Sequence, residues 1–405
     1  MTPGANRRRA HDTLAARPGV RVVRRPVAPG SDEQFDLYYV RTGPRPATTL
    51  VVIPGGPGMA SVGNYRGLRT RAAGSGLDVI MVEHRGVGLS RRDDAGADLP
   101  PAALTITQVV DDVAAVLDDA GVDSDVVYGT SYGTYLAAGL GVRHPGRVRA
   151  MILDSPLLNG NDFELVRSQA RALLWHDDSS LAAKVRSLTA AGKLEPDDLT
   201  LAAAIYGVGG AALLERHLDL LLDGRRLLWT AMRRITLHAA RRKVDYRSES
   251  DLVGPIGFRE LNFAGTPDGL PLDTALTWHA NPAAEIPFEG EPFDLVAQMP
   301  RFDWPTAVLS GGRDLITPPS VAERVAELLP DAALVRLATT GHSVLDTRER
   351  AALRVIAEVA GGRTAALPAA GSDLDALPPA PAVRVAGAAL ALAARSVGAL
   401  PRLIS

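Results

Sequence analysis

The stretch that decides the architecture is Asp125-Val126-Val127-Tyr128-Gly129-Thr130-Ser131-Tyr132-Gly133-Thr134-Tyr135-Leu136. Residues 125–128 are a short β-branched run that reads as a strand, and the small-residue stretch 135–142 reads as a helix. Between them Gly129-Thr130-Ser131-Tyr132-Gly133 fits a Gly-x-Ser-x-Gly pattern, in which small flanking residues allow a strained strand-to-helix turn that lifts the serine hydroxyl above the sheet edge. Five residues with three fixed positions also arise by chance around an ordinary serine. The strand before and the helix after are what select the nucleophile reading.

Working outward, residues 148–153 form the next strand, and strand, helix, strand in succession implies a parallel sheet. Upstream, 37–41, 50–53 and 78–83 are β-rich runs that end in glycine-rich or charged turn material. Residues 107–120 place Val109, Val110, Val113, Val116 and Leu117 on one helical face, and Gly121 supplies the stop. From about 156 to 300 the pattern is helical and rich in leucine and arginine, with aromatics gathered between Phe258 and Phe293, which predicts an inserted cap. The β pattern returns at 306–309 and 334–337, with helices at 320–329 and 348–359. The chain therefore divides into a catalytic body of residues 1–156 and 300–362, a helical cap of 157–299, and an Ala/Pro-rich tail of 363–405 with a terminal helix. The alanine, proline and glycine of 361–381 favour a linker or tail over core. Residues 383–400 are apolar, but Arg384 and Arg395 interrupt them, so they read as a packed or surface helix and not as a membrane span.

The chain has 405 residues, 46% of them hydrophobic, enough for a full core in one large domain with an insertion or in two ordinary domains. A net charge of −2 with interspersed signs offers no electrostatic reason for a nucleic-acid or anionic-membrane partner, and small neutral or zwitterionic substrates fit better. The basic stretch Arg233, Arg234, Arg241, Arg242 and Lys243 reads as a solvated helix face. With no cysteine there is no thiol nucleophile, disulfide or thiolate metal site, so nucleophilic chemistry must use oxygen or nitrogen. Arg7, Arg8 and Arg9 are not followed by an apolar segment, and a cytoplasmic location is the expectation.

A serine hydroxyl is a poor nucleophile at neutral pH and needs a base within hydrogen-bond reach, whose tautomer a carboxylate fixes. His342, in Thr340-Gly341-His342-Ser343 directly after the last strand, is the candidate base. Asp314, in Gly311-Gly312-Arg313-Asp314 after the penultimate strand, is the candidate acid. Asp346 is the nearest rival, but it lies in the helix after His342 and is expected to point elsewhere. An acyl-transfer intermediate also needs oxyanion donors: the backbone N–H of Tyr132 is one, and the loop Pro54-Gly55-Gly56-Pro57-Gly58 offers the second, with Gly56 preferred and Gly55 next.

Three segments together resemble the prolyl aminopeptidase (proline iminopeptidase) and tripeptidyl-aminopeptidase-like branch of the α/β-hydrolases: Gly55-Gly56-Pro57-Gly58, Glu83-His84-Arg85-Gly86-Val87-Gly88-Leu89-Ser90, and Gly129-Thr130-Ser131-Tyr132-Gly133-Thr134-Tyr135-Leu136. The resemblance implies an α/β-hydrolase fold with a mostly parallel central sheet and an inserted, mainly helical cap. The order Ser131, Asp314, His342 is the one this fold uses. It further implies hydrolysis of an N-terminal residue, proline-type first, or of a short peptide from a free amino terminus, without metal or cofactor. Such an enzyme must hold an ammonium group. Arg259-Glu260-Leu261-Asn262-Phe263-Ala264 and Gly290-Glu291 resemble the family's cap segments, with Trp278 between them where the family also carries tryptophan. On that likeness Glu260 and Glu291 hold the amino group, and Phe258, Phe263, Trp278, Phe288 and Phe293 line an apolar pocket or pack the cap. Pro54, Arg259, Glu83 and His84 depart from the family pattern. Two rivals stay open: an esterase or amidase with the same triad, and a non-enzymatic ligand-binding protein on the same scaffold.

Overall fold

The apolar run at Val126 becomes β5 (Asp125–Thr130), in the middle of an eight-stranded sheet. The structure is a computed structural model and describes residues 3–45, 47–275 and 285–399. The other strands are β1 (Val20–Pro26), β2 (Gln34–Thr42), β3 (Thr49–Ile53), β4 (Asp78–Val82), β6 (Val148–Asp154), β7 (Thr306–Gly311) and β8 (Ala332–Leu337). They run in the order β1-β2-β4-β3-β5-β6-β7-β8. β2 pairs antiparallel with both β1 and β4, and every other neighbouring pair is parallel. Every residue of β3 and β4 is buried, as expected of parallel strands covered on both faces.

One face is covered by the helices Ile106–Ala120, Tyr132–Arg143 and Pro319–Leu328, and the other by Pro3–Ala15, Arg66–Gly74 and Glu349–Ala360. The Ile106–Ala120 helix is bounded as its sequence demands: the Thr105 hydroxyl accepts from the Gln108 amide, and Gly121 closes the far end in the left-handed region at φ 64°. Val109, Val110, Val113, Val116 and Leu117 are all buried against the sheet.

Between β6 and β7 the described residues are helical, with an apolar core of their own built around Leu174, Leu188, Leu214, Leu221 and Trp229. The long helix Asp198–Leu222 breaks at Gly210 (φ 69°, ψ −168°). It rests on the loops that follow β7 and β8: a Cβ on Gly341 would stand 2.9 Å from the Gly207 carbonyl oxygen, and one on Gly210 would stand 3.0 Å from the Arg313 guanidinium. The insertion is thereby seated above the carboxyl ends of the parallel strands, where sites of open α/β sheets form.

Two features differ from the sequence reading. The helix Pro3–Ala15 and the edge strand β1 were not anticipated, because Val-Arg-Val-Val-Arg-Arg mixes charge into a strand that is half solvent-facing. Residues 361–381 are not a linker. Leu367 and Leu374, seven residues apart, are 1% and 3% exposed and close the apolar cluster on the second face. The Asp375 carboxylate accepts from the Thr339 amide and the Thr340 hydroxyl, both at 2.8 Å. The final helix Pro381–Ala399 lies along Asp198–Leu222, and the Arg225 guanidinium donates to its Val397 carbonyl. By length and apolar composition alone, both of those helices could cross a membrane.

The Glu83-His84-Arg85-Gly86 stretch after β4 is a set of buried braces. The Glu83 carboxylate, fully buried, accepts from the amides of Ser61 (2.5 Å) and Val62 (3.0 Å), and burial pushes it up to about 7. Burial pulls His84 down to about 4, so its ring is neutral at pH 7. Arg85 grips Asp112 through Nε (2.6 Å) and Nη2 (2.7 Å), both residues being 2% exposed or less, and Arg25 reaches the same carboxylate at 2.8 Å. Removing one member of a buried ion pair leaves an uncompensated charge, so Arg85→Ala is expected to cost about 3–5 kcal/mol in a urea-unfolding measurement. A change within about 0.5 kcal/mol, as for a surface residue, would contradict that role.

Candidate active site

Ser131 sits at the junction of β5 and the Tyr132–Arg143 helix with φ 52° and ψ −125°, a conformation an L-residue holds only when its surroundings impose it. The glycines on either side explain how. A Cβ on Gly133 would lie 2.2 Å from the Ile53 carbonyl oxygen, and one on Gly129 would lie 2.3 Å from the Gly133 carbonyl oxygen. The turn is wedged against the end of β3, and no larger residue fits either position.

The three candidates lie in one hydrogen-bonded row. His342 Nε2 is 2.9 Å from Ser131 Oγ, and His342 Nδ1 is 2.8 Å from Asp314 Oδ2. Asp314 is 1% exposed, and the imidazole retains 22% exposure. The aspartate follows β7 in a turn whose amides serve it: Ile316 N and Thr317 N donate to Oδ1 at 2.8 and 2.9 Å, and Thr317 Oγ1 donates to Oδ2 at 2.9 Å. Burial pushes the Asp314 carboxyl up, but the His342 charge and these hydrogen bonds outweigh it and hold the group below its usual range. For His342, burial works toward a lower value and Asp314 more than reverses it, leaving the imidazole above its usual 6.5. With Asp314 accepting at Nδ1–H, Nε2 is the free base facing the serine.

Asp346 is excluded from this row. Its carboxylate accepts from the Ser343 hydroxyl (2.7 Å) and the Tyr65 hydroxyl (3.2 Å). Thr317 was not anticipated, although an aspartate three residues before a threonine is a turn signal. Nor was Asp154 at the end of β6, whose carboxylate meets the loop after His342.

Tyr132 supplies the first amide of its helix, which has no intrahelical acceptor. Its phenol is 4% exposed, and its hydroxyl has no partner among the described residues. In the loop after β3, Gly55 is turned toward Ser131: a Cβ there would stand 3.1 Å from Ser131 Cβ and 3.7 Å from its Oγ. Gly56, at φ 134°, faces the amides of Gly58 and Met59 instead.

The cap carboxylates differ from each other. Glu260 is 7% exposed and committed to the protein: Oε2 accepts from the Ile106 amide (2.9 Å) and Oε1 pairs with Arg259 (2.7 Å). Glu291, half-buried, accepts from the Gly160 amide at 2.9 Å and is raised by burial. Beside it, Asp162 takes the amides of Leu158 (2.6 Å) and Asn159 (3.2 Å) on Oδ2, while its buried Oδ1 has no partner among the described residues. Burial, with the Glu291 charge adding, pushes Asp162 up to about 7. The charges of Glu291, Glu260 and Asp162 all bear on Tyr135, in the first turn of the Tyr132–Arg143 helix.

Phe258 and Phe293 are buried, Phe293 stacked on Tyr135 at 6.0 Å, and Phe263 is half-buried with its ring edge-on to Phe258 at 6.3 Å. Phe288 is 44% exposed with its ring end against Gly160. Trp278 lies outside the described residues. Among the described residues, no group of three or more His, Asp or Glu side chains is arranged to hold a metal ion.

The family described as alpha/beta hydrolase fold matches residues 48–184, from β3 through the Ser131 turn into the insertion. The chain has the α/β-hydrolase fold. A putative carbamate hydrolase, RutD of Azorhizobium caulinodans, is 34% identical over 128 residues, 32% of this chain and 43% of that protein. The polyketide synthase ThaQ of Burkholderia thailandensis is 41% identical over 59 residues, 15% of this chain and 3% of ThaQ. The chain thus spans less than half the length of these curated relatives. Among solved structures, the proline iminopeptidase of Mycobacterium smegmatis superposes with a TM-score of 0.52 at 20% identity, covering 85% of this chain and 99% of that one. That likeness is one of fold.

The direction of the His342 shift sets a pH dependence. Protonating Nε2 removes the acceptor for the serine proton, and a raised value means this happens at higher pH than for a free imidazole. The rate at which a fluorophosphonate labels Ser131 is expected to fall as pH drops through a midpoint above 6.5. A midpoint at or below 6.5, or a flat profile, would count against the hydrogen-bonded row.

Proposed function

We propose that this chain is a serine hydrolase that works through an acyl-enzyme, and that its substrates are short peptides from which it releases the N-terminal residue. The observation that carries the hydrolase reading is the row Ser131 Oγ, His342 Nε2, His342 Nδ1, Asp314 Oδ2, closed at 2.9 and 2.8 Å. Ser131 Oγ attacks the scissile carbonyl carbon while Nε2 takes its proton. Asp314 holds the tautomer and stabilises the imidazolium. Nε2 then returns the proton to the leaving amine, and water, activated by the same nitrogen, releases the acyl group. The Tyr132 amide and an amide of the Gly55–Gly56 loop receive the oxyanion, with Gly55 the one against Ser131.

The aminopeptidase part of the reading rests on the acidic lining at the start of the nucleophile helix and on the resemblance in the glycine-proline and serine-turn segments. Glu291, with the unpartnered oxygen of Asp162 beside it, is the carboxylate that suits a desolvated ammonium. Glu260 suits it less, since Arg259 already neutralises it.

That last observation favours a second reading, an esterase or amidase with no need for a free amine. Prolyl and alanyl p-nitroanilides, each with a free or an acetylated amino group, and short-chain nitrophenyl esters separate the two. The aminopeptidase reading expects turnover of the free-amine amides alone, a loss on the order of 10⁴–10⁶-fold in kcat for Ser131→Ala, and a drop in kcat/KM of about 10–100-fold for Glu291→Gln, with Glu260→Gln acting mainly on stability. Turnover of esters alone, indifferent to Glu291→Gln, would establish the second reading. Absence of turnover and of fluorophosphonate labelling would leave the non-catalytic one.

A further inference from the structure

We infer that Asp154 is a positioning residue that ties the nucleophile and the base to one point of the sheet, setting the Ser131–His342 distance. The inference rests on the serine-hydrolase reading above. β6 ends at Asp154, between the strand that delivers Ser131 and the strand that precedes the Asp314 turn. Its main-chain carbonyl accepts from the Ser131 amide at 2.9 Å. Its carboxylate, fully buried, accepts from the two amides that follow the histidine loop: Val344 N on Oδ1 at 2.9 Å and Leu345 N on Oδ2 at 2.8 Å. The next residue continues the pattern, Ser155 Oγ accepting from Ser343 N at 3.0 Å. Three consecutive amides directly after His342 therefore terminate on the end of β6.

The remaining bonds tighten the same clamp. Tyr128 OH donates to Asp154 Oδ2 at 2.9 Å from inside β5, and Thr130 Oγ1 donates to Ser343 Oγ at 3.0 Å. Ser131, Ser155 and Ser343 have φ of 52°, 54° and 60°, half of the six non-glycine residues with positive φ among the described residues. Backbone held in that region persists only where the surroundings over-determine it. All three meet at the end of β6: Ser131 N on the Asp154 carbonyl, Ser343 N on Ser155 Oγ, and the two amides after Ser343 on the Asp154 carboxylate. The Val344–Thr347 helix is a single turn, too short to orient the preceding loop by itself, so the carboxylate caps the turn and carries His342 with it.

The charges bearing on His342 are those of Asp314, Asp154 and Asp346. Asp346 is exposed and shared between Ser343 and Tyr65, and Asp314 is in direct contact with the ring. Asp154 acts without contact, through the loop and through its field.

Fluorophosphonate labelling of Ser131, followed across pH, tests the inference without knowledge of the substrate. Asp154→Asn keeps the shape, removes the charge and retains one acceptor. The second-order labelling rate at pH 8 is expected to fall at least tenfold per labelled site, as for catalytic groups displaced by about 1 Å, and the acid midpoint is expected to move to lower pH because a negative charge near the imidazole is gone. Ser155→Ala, which removes the acceptor for Ser343 N and a long 3.4 Å donor to Asp154 Oδ1 but no charge, is expected to lower the rate a few-fold with the midpoint little changed. A role in folding alone would reduce the number of sites that label while leaving rate per site and midpoint at wild-type values, and that result would overturn the inference. If Asp154→Asn does not fold, Ser155→Ala decides: a wild-type rate per site overturns the inference and a reduced rate supports it. Wild-type protein that never labels would overturn the hydrolase reading and this inference with it.

Discussion

Ser131 stands where it does because two positions beside it leave no space for a side chain. With Gly133 against the carbonyl of Ile53 and Gly129 against Gly133, the turn after β5 is pressed onto the end of β3, and Ser131 is forced to φ 52°. The loop after β3 is set against the same turn, where a Cβ on Gly55 would stand 3.1 Å from Ser131 Cβ, so the glycine loop and the serine are positioned by one packing event. The braces after β4 secure the far side of the same loop, since Glu83 gathers the amides of Ser61 and Val62.

His342 and Asp314 are held by a different principle, saturation of buried anions with backbone amides. Asp314 receives two amides and a threonine hydroxyl before it receives the histidine. A carboxylate so satisfied stays ionised despite burial and has one lone pair left to orient an imidazole. The insertion completes the arrangement from above, as Gly207 and Gly210 let a long cap helix settle on Gly341 and Arg313. In the cap, identical side chains meet different fates. Glu260 is spent on the Ile106 amide and on Arg259, while Glu291 and Asp162 lie together with an oxygen unengaged.

Much of this was legible in the chain. Residues 50–53, 78–83, 125–128 and 148–153 announced themselves as strands because parallel strands buried on both faces must be uninterrupted apolar runs. Ser131, Asp314 and His342 were legible because each follows such a run in material too polar or too rich in glycine to be core. β1 escaped because an edge strand tolerates arginines, and the segment around Leu367 and Leu374 escaped because two buried leucines barely alter an alanine-rich composition. Asp154 ended an apolar strand in plain view, but an aspartate there is also an ordinary strand stop.

By itself, the sequence determined a doubly covered, mostly parallel sheet, a glycine-flanked serine at a strand-to-helix turn, and an acid and a histidine after the last two strands, since these are written in local periodicity and in residue types that only certain turns accept. Tertiary structure alone decided that a Cβ on Gly55 would meet the serine, that Glu260 is paired with Arg259, and that three amides after His342 end on β6. Each of those outcomes turns on which groups from distant parts of the chain compete for one buried carboxylate or one few-ångström gap, and no local pattern records that competition.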